Sequence, residues 1–308
     1  MRGGGQMMSS SSERVLVTGA AGLIGTALAC ALRDRGVEVA ELDPRSVSPD
    51  ARGDVLDPAA LERAIAGCTG VVHLAAISRV AWAERAPDAC WRTNVDGTRA
   101  VVAAAAARGA WVLFASSREV YGAAAAWPAT EDTPLAPVNI YGRAKVAGER
   151  LVAEAAANGL PAGIVRLSNV YGRTADHADR VVPAFVRAAI AGTPLHVEGA
   201  GHAFDFVYID DVVRGLLELV ARLRAGEGTP PLQLVTGTST TLGALARLTV
   251  ELAGTDAPIV TAPERTYDVE HFSGSGERAR RYLGWSAHVS LRDGLARLIG
   301  DFRAAAAG

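Results

Sequence analysis

The chain has 308 residues, 49% of them hydrophobic and 21% charged, and 31 Lys plus Arg against 33 Asp plus Glu leave a formal net charge of -2. This length and apolar content suit one large domain carrying a smaller second lobe, and they exclude a disordered chain. The near-neutral balance, with no long basic block, removes the phosphate-neutralising footprint of a nucleic-acid binder.

Residues 1–12, with Gly3–Gly5 and Ser9–Ser12, show neither the apolar run of a signal peptide nor a helical period, and are expected to be a flexible tail. The β-branched run Arg14-Val-Leu-Val-Thr18 predicts a first strand, followed by a glycine-rich turn and an alanine-rich helix over 23–35. Residues 37–42 alternate like a second strand, 71–74 read as a third and 111–115 as a fourth, with helical patterns between them. Long helices are expected over 87–108 and 139–157, and a strand over 163–167. Strands alternating with helices imply an α/β fold of the Rossmann type, a doubly wound parallel sheet covered on both faces.

Beyond about Asn169 the alternation weakens into a helix near 183–191, a strand near 206–208 and helices near 242–253 and 290–302. The expected organisation is a dinucleotide-binding domain over 13–168 and a mainly substrate-binding lobe over 169–308, with segments such as 204–222 able to pack back on the first domain. The most apolar stretch, 100–114, is interrupted by Arg108 and Gly109, too soon for the ~20 apolar residues of a membrane span. Three scattered cysteines, Cys30, Cys68 and Cys90, have no metal-ligand or redox spacing, so no metal is expected and a reducing cytoplasm is.

Thr18-Gly-Ala-Ala-Gly-Leu-Ile-Gly25 places Gly19, Gly22 and Gly25 between a strand and the mouth of a helix that begins with Leu23 and Ile24. Glycines there permit a tight turn, close approach of backbone N–H groups to a pyrophosphate, and packing of helix on sheet. The helix N-terminus attracts the anion. Asp43, at the end of the second strand, stands where a carboxylate would bind both ribose hydroxyls and repel a 2′-phosphate, favouring NAD over NADP. Two other readings stay open: Asp43 as the start of an Asp-Pro turn, and Arg45 as a 2′-phosphate ligand. Asp54, with Val55 beside it, is a candidate for the adenine amino group or simply a solvated loop carboxylate. Further on, Tyr141 and Lys145 stand four apart in an expected helix, so their side chains share a face. An ammonium beside a phenol favours the phenolate and fits Tyr141 for general-base work; the other reading is a chance surface pair.

Taken with His73-Leu-Ala-Ala76, Asn94-Val-Asp-Gly-Thr98, Ser116-Ser117, Val120-Tyr-Gly122, Arg166-Leu-Ser-Asn169 and Phe206-Val-Tyr-Ile-Asp-Asp211, these landmarks resemble the extended short-chain dehydrogenases of the NAD-dependent nucleotide-sugar epimerase/dehydratase family, over nearly the whole chain. The resemblance implies NAD as cofactor, with Leu74, Ala75, Ala76 and Asn94 in its site. It implies a nucleotide-diphosphate sugar, UDP-linked in the first instance, as substrate, and a homodimer built on helices 87–108 and 139–157. Ser117 would hold the sugar 4-hydroxyl while Tyr141, supported by Lys145, removes its proton; Ser117 as a strand-end cap is the plainer alternative. Asn169, Val182, Phe204, Arg118, Arg265 and Asp268 fall in the implied substrate site. Two positions depart from the family's pattern: Phe204 stands where members often place a phosphate-gripping arginine, and Arg118 where 4,6-dehydratases place an aspartate. The expected activity is a 4-epimerase acting through a transient 4-keto sugar. The alternatives are a dehydratase or uronate decarboxylase in which Glu119 acts on the keto sugar, a plain Arg118–Glu119 surface pair with no chemical role, and a non-catalytic dinucleotide sensor.

Overall fold

A computed structural model describes residues 13–124, 126–263 and 269–307; the tail expected over 1–12 lies outside them. The strands among the described residues, in chain order, are β1 Arg14–Thr18, β2 Glu38–Leu42, β3 Gly70–His73, β4 Trp111–Ser117, β5 Ala162–Leu167, β6 Asn169–Tyr171, β7 Leu195–Glu198, β8 Ala203–Tyr208, β9 Leu232–Leu234, β10 Ser239–Thr241 and β11 Ile259–Ala262. Six of them form one parallel sheet in the order β2-β1-β3-β4-β5-β9. Every residue of β3, β4 and β5 is buried, as a sheet covered on both faces requires.

Alternation along each strand divides the core. Val15 and Val17 of β1 and Leu113 of β4 point toward helices Leu23–Arg33 and Ile209–Arg224, whereas Leu16, Val112 and Phe114 join a second cluster with Leu61, Val101 and Val152. The sheet also draws on the chain beyond residue 168. Strand β9 extends it past β5, pairing Leu232 with Val165, and helix Ile209–Arg224 packs against helix Leu23–Arg33. The remaining strands make a three-stranded sheet, β10-β8-β6, and a pair, β11-β7, covered by helices Val181–Ala191, Leu242–Ala253 and Leu291–Ala307. Among the described residues no helix is long and apolar enough to cross a membrane.

The helix expected over 87–108 runs from 87 to 106 with one wide π turn at Arg92–Asp96. At that turn Asn94 faces inward, 1% exposed, accepting from Ile77 N at 2.8 Å and donating to Ile77 O at 3.1 Å. The order in which successive strands join the sheet reverses between β1 and β3, the position at which ligands bind outside the carboxyl ends of parallel strands.

Beneath that edge lies a buried polar network. Arg166 of β5 forms a fork with Glu149, donating Nε to Oε1 at 2.9 Å and Nη2 to Oε2 at 2.8 Å. Ser116 donates to the same carboxylate at 2.6 Å, and Arg166 Nη1 reaches Tyr121 Oη and Glu131 O. Breaking one partner of such a pair strands a charge in the interior, which costs about 3–5 kcal/mol, while replacing both by apolar residues costs far less. Arg166→Met is therefore expected to lower the unfolding free energy in urea titrations by about 3–5 kcal/mol, with the Arg166→Met, Glu149→Leu double variant recovering most of it. A double variant no more stable than the single one would refute this account.

Candidate active site

The carboxyl ends of β1 to β5 open into a cavity of about 980 Å³, which extends from Asp43 and Asp54 at one end to Phe204 and Val182 at the other. At the first end, Gly19 turns the chain with φ +71°, and its N–H donates to Leu42 O at 2.8 Å. A Cβ on Gly19 would lie 2.7 Å from Ala75 N, and one on Gly25 would lie 2.2 Å from Gly19 O. The turn is therefore tight enough to need glycine at both positions. Helix Leu23–Arg33 starts at Gly22 with no side-chain cap, which leaves its first N–H groups facing the cavity as an anion site. These features fit the pyrophosphate of a dinucleotide.

Gly19, Gly22, Leu23, Ile24, Gly25, Asp43, Asp54, Val55, Leu74, Ala75 and Ala76 all line this cavity. The Asp43 carboxylate, 3% exposed, accepts from Ala21 N at 3.1 Å and Arg45 N at 2.8 Å, and its ion pair with Arg45 measures 3.3 Å. It is thus the start of a turn and a cavity wall at once. Asp54 accepts from Leu56 N at 2.9 Å. Asn94 lies one layer behind the lining, because both ends of its amide are taken by Ile77 and it braces the loop that follows β3. His73, also behind the lining, contacts Thr18 Oγ1 at 2.7 Å and Thr98 Oγ1 at 3.0 Å; burial pushes its pKa down to about 3, so the ring is neutral.

Helix Ile140–Ala157 and the end of β4 build the other end. Asn139 caps the helix, accepting from Gly142 N at 2.8 Å, and a Cβ on Gly142 would lie 2.6 Å from Glu119 O, so glycine lets the helix meet the turn after Ser117 closely. Ser117, Tyr141 and Lys145 all face the cavity. Burial pushes the Tyr141 phenol up to about 12, opposed by its hydrogen bond with Ser117 and by the nearby Arg180 charge. Lys145 Nζ donates to Ala115 O at 2.8 Å and lies 5.8 Å from the Tyr141 ring centroid; burial pulls it down to about 8. Its charge is thus spent first on the strand end rather than on the phenol.

Arg118 and Glu119 are paired at 2.8 Å, but the pair is buried in the cavity wall rather than lying on the surface. The second Glu119 oxygen accepts from Asn139 Nδ2 at 2.7 Å. Arg118 Nε donates to Asn169 Oδ1 at 3.2 Å, and its guanidinium carbon lies 4.4 Å from the Phe204 ring centroid. The two departures from the family's pattern, 118 and 204, are therefore in contact. Val182 lines the cavity; Arg265 and Asp268 lie outside the described residues.

The sequence reading missed the strap across the opening. Arg79 pairs with Asp179 at 3.2 Å, Arg180 donates to Ser78 Oγ at 3.3 Å and pairs with Asp176 at 3.5 Å, and Trp82 meets His177 edge-on at 5.0 Å. The only signal was a charged, patternless run, 176–180, with no partner visible along the chain.

A family model described as the NAD dependent epimerase/dehydratase family matches residues 15–232. A dTDP-glucose 4,6-dehydratase of Streptomyces griseus is 32% identical, the match covering 94% of this chain and 93% of that protein. A UDP-glucose 4-epimerase of Azospirillum brasilense is 28% identical, covering 94% of this chain and 91% of its own. The solved structure of MoeE5 in complex with UDP-glucose and NAD superposes with a TM-score of 0.89 at 32% identity, over 95% of this chain and 99% of that one. With a glycine turn that fits a dinucleotide at one end of the cavity, Ser117, Tyr141 and Lys145 at the other, and likeness along nearly its full length, the chain belongs to the NAD-dependent epimerase/dehydratase family, as an NAD-dependent nucleotide-sugar enzyme of the extended short-chain dehydrogenase type.

Proposed function

We propose that the protein is a nucleotide-sugar 4-epimerase that works on a UDP-sugar through a transient 4-keto sugar. The observation that carries this reading is the state of Glu119. One of its oxygens is paired with Arg118 and the other is bonded to Asn139, so it is poorly placed to serve as the free base that a dehydratase or decarboxylase would ask of it. Reversible oxidation at C4 asks only for Ser117, Tyr141 and Lys145, and all three line the cavity. The UDP-glucose named for the Azospirillum enzyme and for the MoeE5 complex supports a UDP-sugar.

In this reading Ser117 holds the C4 oxygen and Tyr141 takes its proton. A bound NAD supplies a reversible store for one hydride and a positive ring charge that draws the phenol downward. Lys145 holds a second positive charge beneath the same face, fixed by Ala115 O. The cavity then has to let the keto sugar turn over before the proton and hydride return.

Incubating the holoenzyme with UDP-glucose, UDP-glucuronate and their N-acetyl relatives, followed by mass analysis and NMR, is expected to give a C4 isomer of unchanged mass; loss of water or of carbon dioxide instead would rule the reading out. Tyr141→Phe is expected to lower turnover by about 10²–10⁴-fold. Turnover retained at the wild-type level would place the base elsewhere.

The Lys145 shift gives a prediction in pH. Its folded value, about 8, lies below the ordinary 10.5, so below pH 8 the folded state carries a buried charge that the unfolded chain hydrates, and this penalty fades as pH rises from 8 to 10.5. Lys145→Met is therefore expected to be more stable than wild type at pH 7 by on the order of 1–3 kcal/mol, with the gap closing toward pH 10.5. Urea titrations at the two pH values measure it, and a gap that does not change with pH counts against the buried charge.

We also propose a cytoplasmic homodimer joined through the helices over 87–106 and 140–157. Trp91, 42% exposed, and Val138, 41% exposed, lie on or beside them. Sedimentation at the monomer mass across micromolar concentrations would exclude this.

A further inference from the structure

The adenosine end of the cavity holds a cation that an NAD molecule leaves unused. Asp43, whose side chain is 3% exposed, takes four N–H donors: Ala21 N at 3.1 Å, Arg45 N at 2.8 Å, and Arg45 Nε and Nη2 at 3.3 and 3.4 Å. A carboxylate has about four lone-pair sites, so these donors fill it. The ribose hydroxyls of a dinucleotide reach Asp43 only where a donor gives way. The backbone donors are fixed, because the turn is closed on itself: Asp43 N donates to Ala51 O at 3.0 Å, Ser46 N to Asp43 O at 3.1 Å and Arg52 Nε to Ser46 O at 2.9 Å. The two side-chain contacts are the long ones, at the limit of a hydrogen bond, and the Arg45 side chain is 53% exposed. It is therefore the guanidinium that moves. Its Nη2 lies 3.6 Å from where a Cβ on Gly22 would stand, at the mouth of the uncapped helix Leu23–Arg33, and Gly22, Asp43 and Arg45 all line the cavity.

We propose that Arg45 lets this site accept NADP as well as NAD, by standing between Asp43 and a phosphate on the ribose 2′-oxygen. A carboxylate beside that oxygen ordinarily selects NAD, since it accepts from the 2′-hydroxyl and repels a phosphate. Here the carboxylate is already paired with a guanidinium, so its charge is matched before any cofactor arrives. With NAD, the guanidinium withdraws and the ribose diol takes its place on Asp43. With NADP, the guanidinium turns on its exposed stem toward the phosphate, whose oxygens suit its fork, and Asp43 accepts from the 3′-hydroxyl alone. Asp54 lines the same end of the cavity and its charge opposes an added phosphate, so NAD stays the tighter of the two. This choice is made in the dinucleotide half of the cavity and does not depend on which reaction the sugar undergoes.

The test is competition for the full chain. The protein is equilibrated with a saturating equimolar mixture of NAD and NADP, starting from either nucleotide, and the bound nucleotides are released and quantified by chromatography, which reads binding without turnover. Bound NADP is expected at no less than about one-tenth of bound NAD. The NADP share is expected to fall at least about tenfold in Arg45→Ala, and to fall less in Arg45→Lys, which keeps the charge and loses the fork. A smaller share in the wild type overturns the proposal. So does a share unchanged in Arg45→Ala, whether both nucleotides bind as before or both weaken alike, because the guanidinium would then be idle or serving the pyrophosphate. Should Arg45→Ala fail to fold, the wild type and Arg45→Lys still decide, since an undiminished share in the lysine variant counts against the fork.

Discussion

Helix Ile140–Ala157 carries a phenol, an ammonium and a carboxylate at intervals of four residues, Tyr141, Lys145 and Glu149, and the reaction end of the cavity depends on how deeply each is buried. Four-residue spacing puts them on one face, the face that meets β4 and β5. All three are buried, and each meets a different partner. Tyr141 reaches the cavity, Lys145 reaches the carbonyl at the end of β4, and Glu149 reaches below the sheet edge to Arg166 and Ser116. An ammonium inside a protein needs compensation, and Lys145 has a carbonyl at 2.8 Å and the Glu149 charge one turn away. The fork between Glu149 and Arg166 in turn fixes helix to strand. The fold and the site thus draw on one face of the same helix.

The same logic explains why the serine turn is shaped as it is. Ser117 ends a fully buried strand, and the next two residues are an oppositely charged pair held in the wall. Asn139 joins that pair to the helix by two bonds, one capping the helix and one on Glu119. A carboxylate with this many ties acts as part of the scaffold, and its charge is what keeps the Arg118 guanidinium in place over Phe204. The positive charge on this wall comes from the turn after β4, and Phe204 of β8 supplies the surface it stacks on.

Much of this was legible along the chain. Short apolar runs, only one of them alternating, gave the first five parallel strands to within a few residues, because a strand buried on both faces must be apolar throughout. The glycine turn was readable because a Cβ at Gly19 or Gly25 would lie 2.2 to 2.7 Å from neighbouring backbone atoms, which leaves no room for one. Tyr141 and Lys145 were readable because helical spacing is a local property. Strand β9 was not, since three residues, Leu-Gln-Leu, carry no period, and the buried Gln233 at its centre looks like a loop residue until Tyr121 and Glu131 are seen to bond it. The strap over 176–180 was hidden for the same reason: its partners Ser78, Arg79 and Trp82 lie about a hundred residues away.

The sequence by itself determined the first five strands of the sheet, the tight glycine turn and the shared helix face of Tyr141 and Lys145, because each is written in short-range spacing and in which residues a backbone conformation admits. Only the tertiary structure decided how those side chains are charged and spent: that Lys145 bonds a strand carbonyl before it can serve the phenol, that Asn94 braces a loop from behind the cavity, and that Glu119 is tied on both oxygens. Burial and through-space pairing set those outcomes, and neither can be read along the chain when the partners lie some 17 to 30 residues apart in sequence.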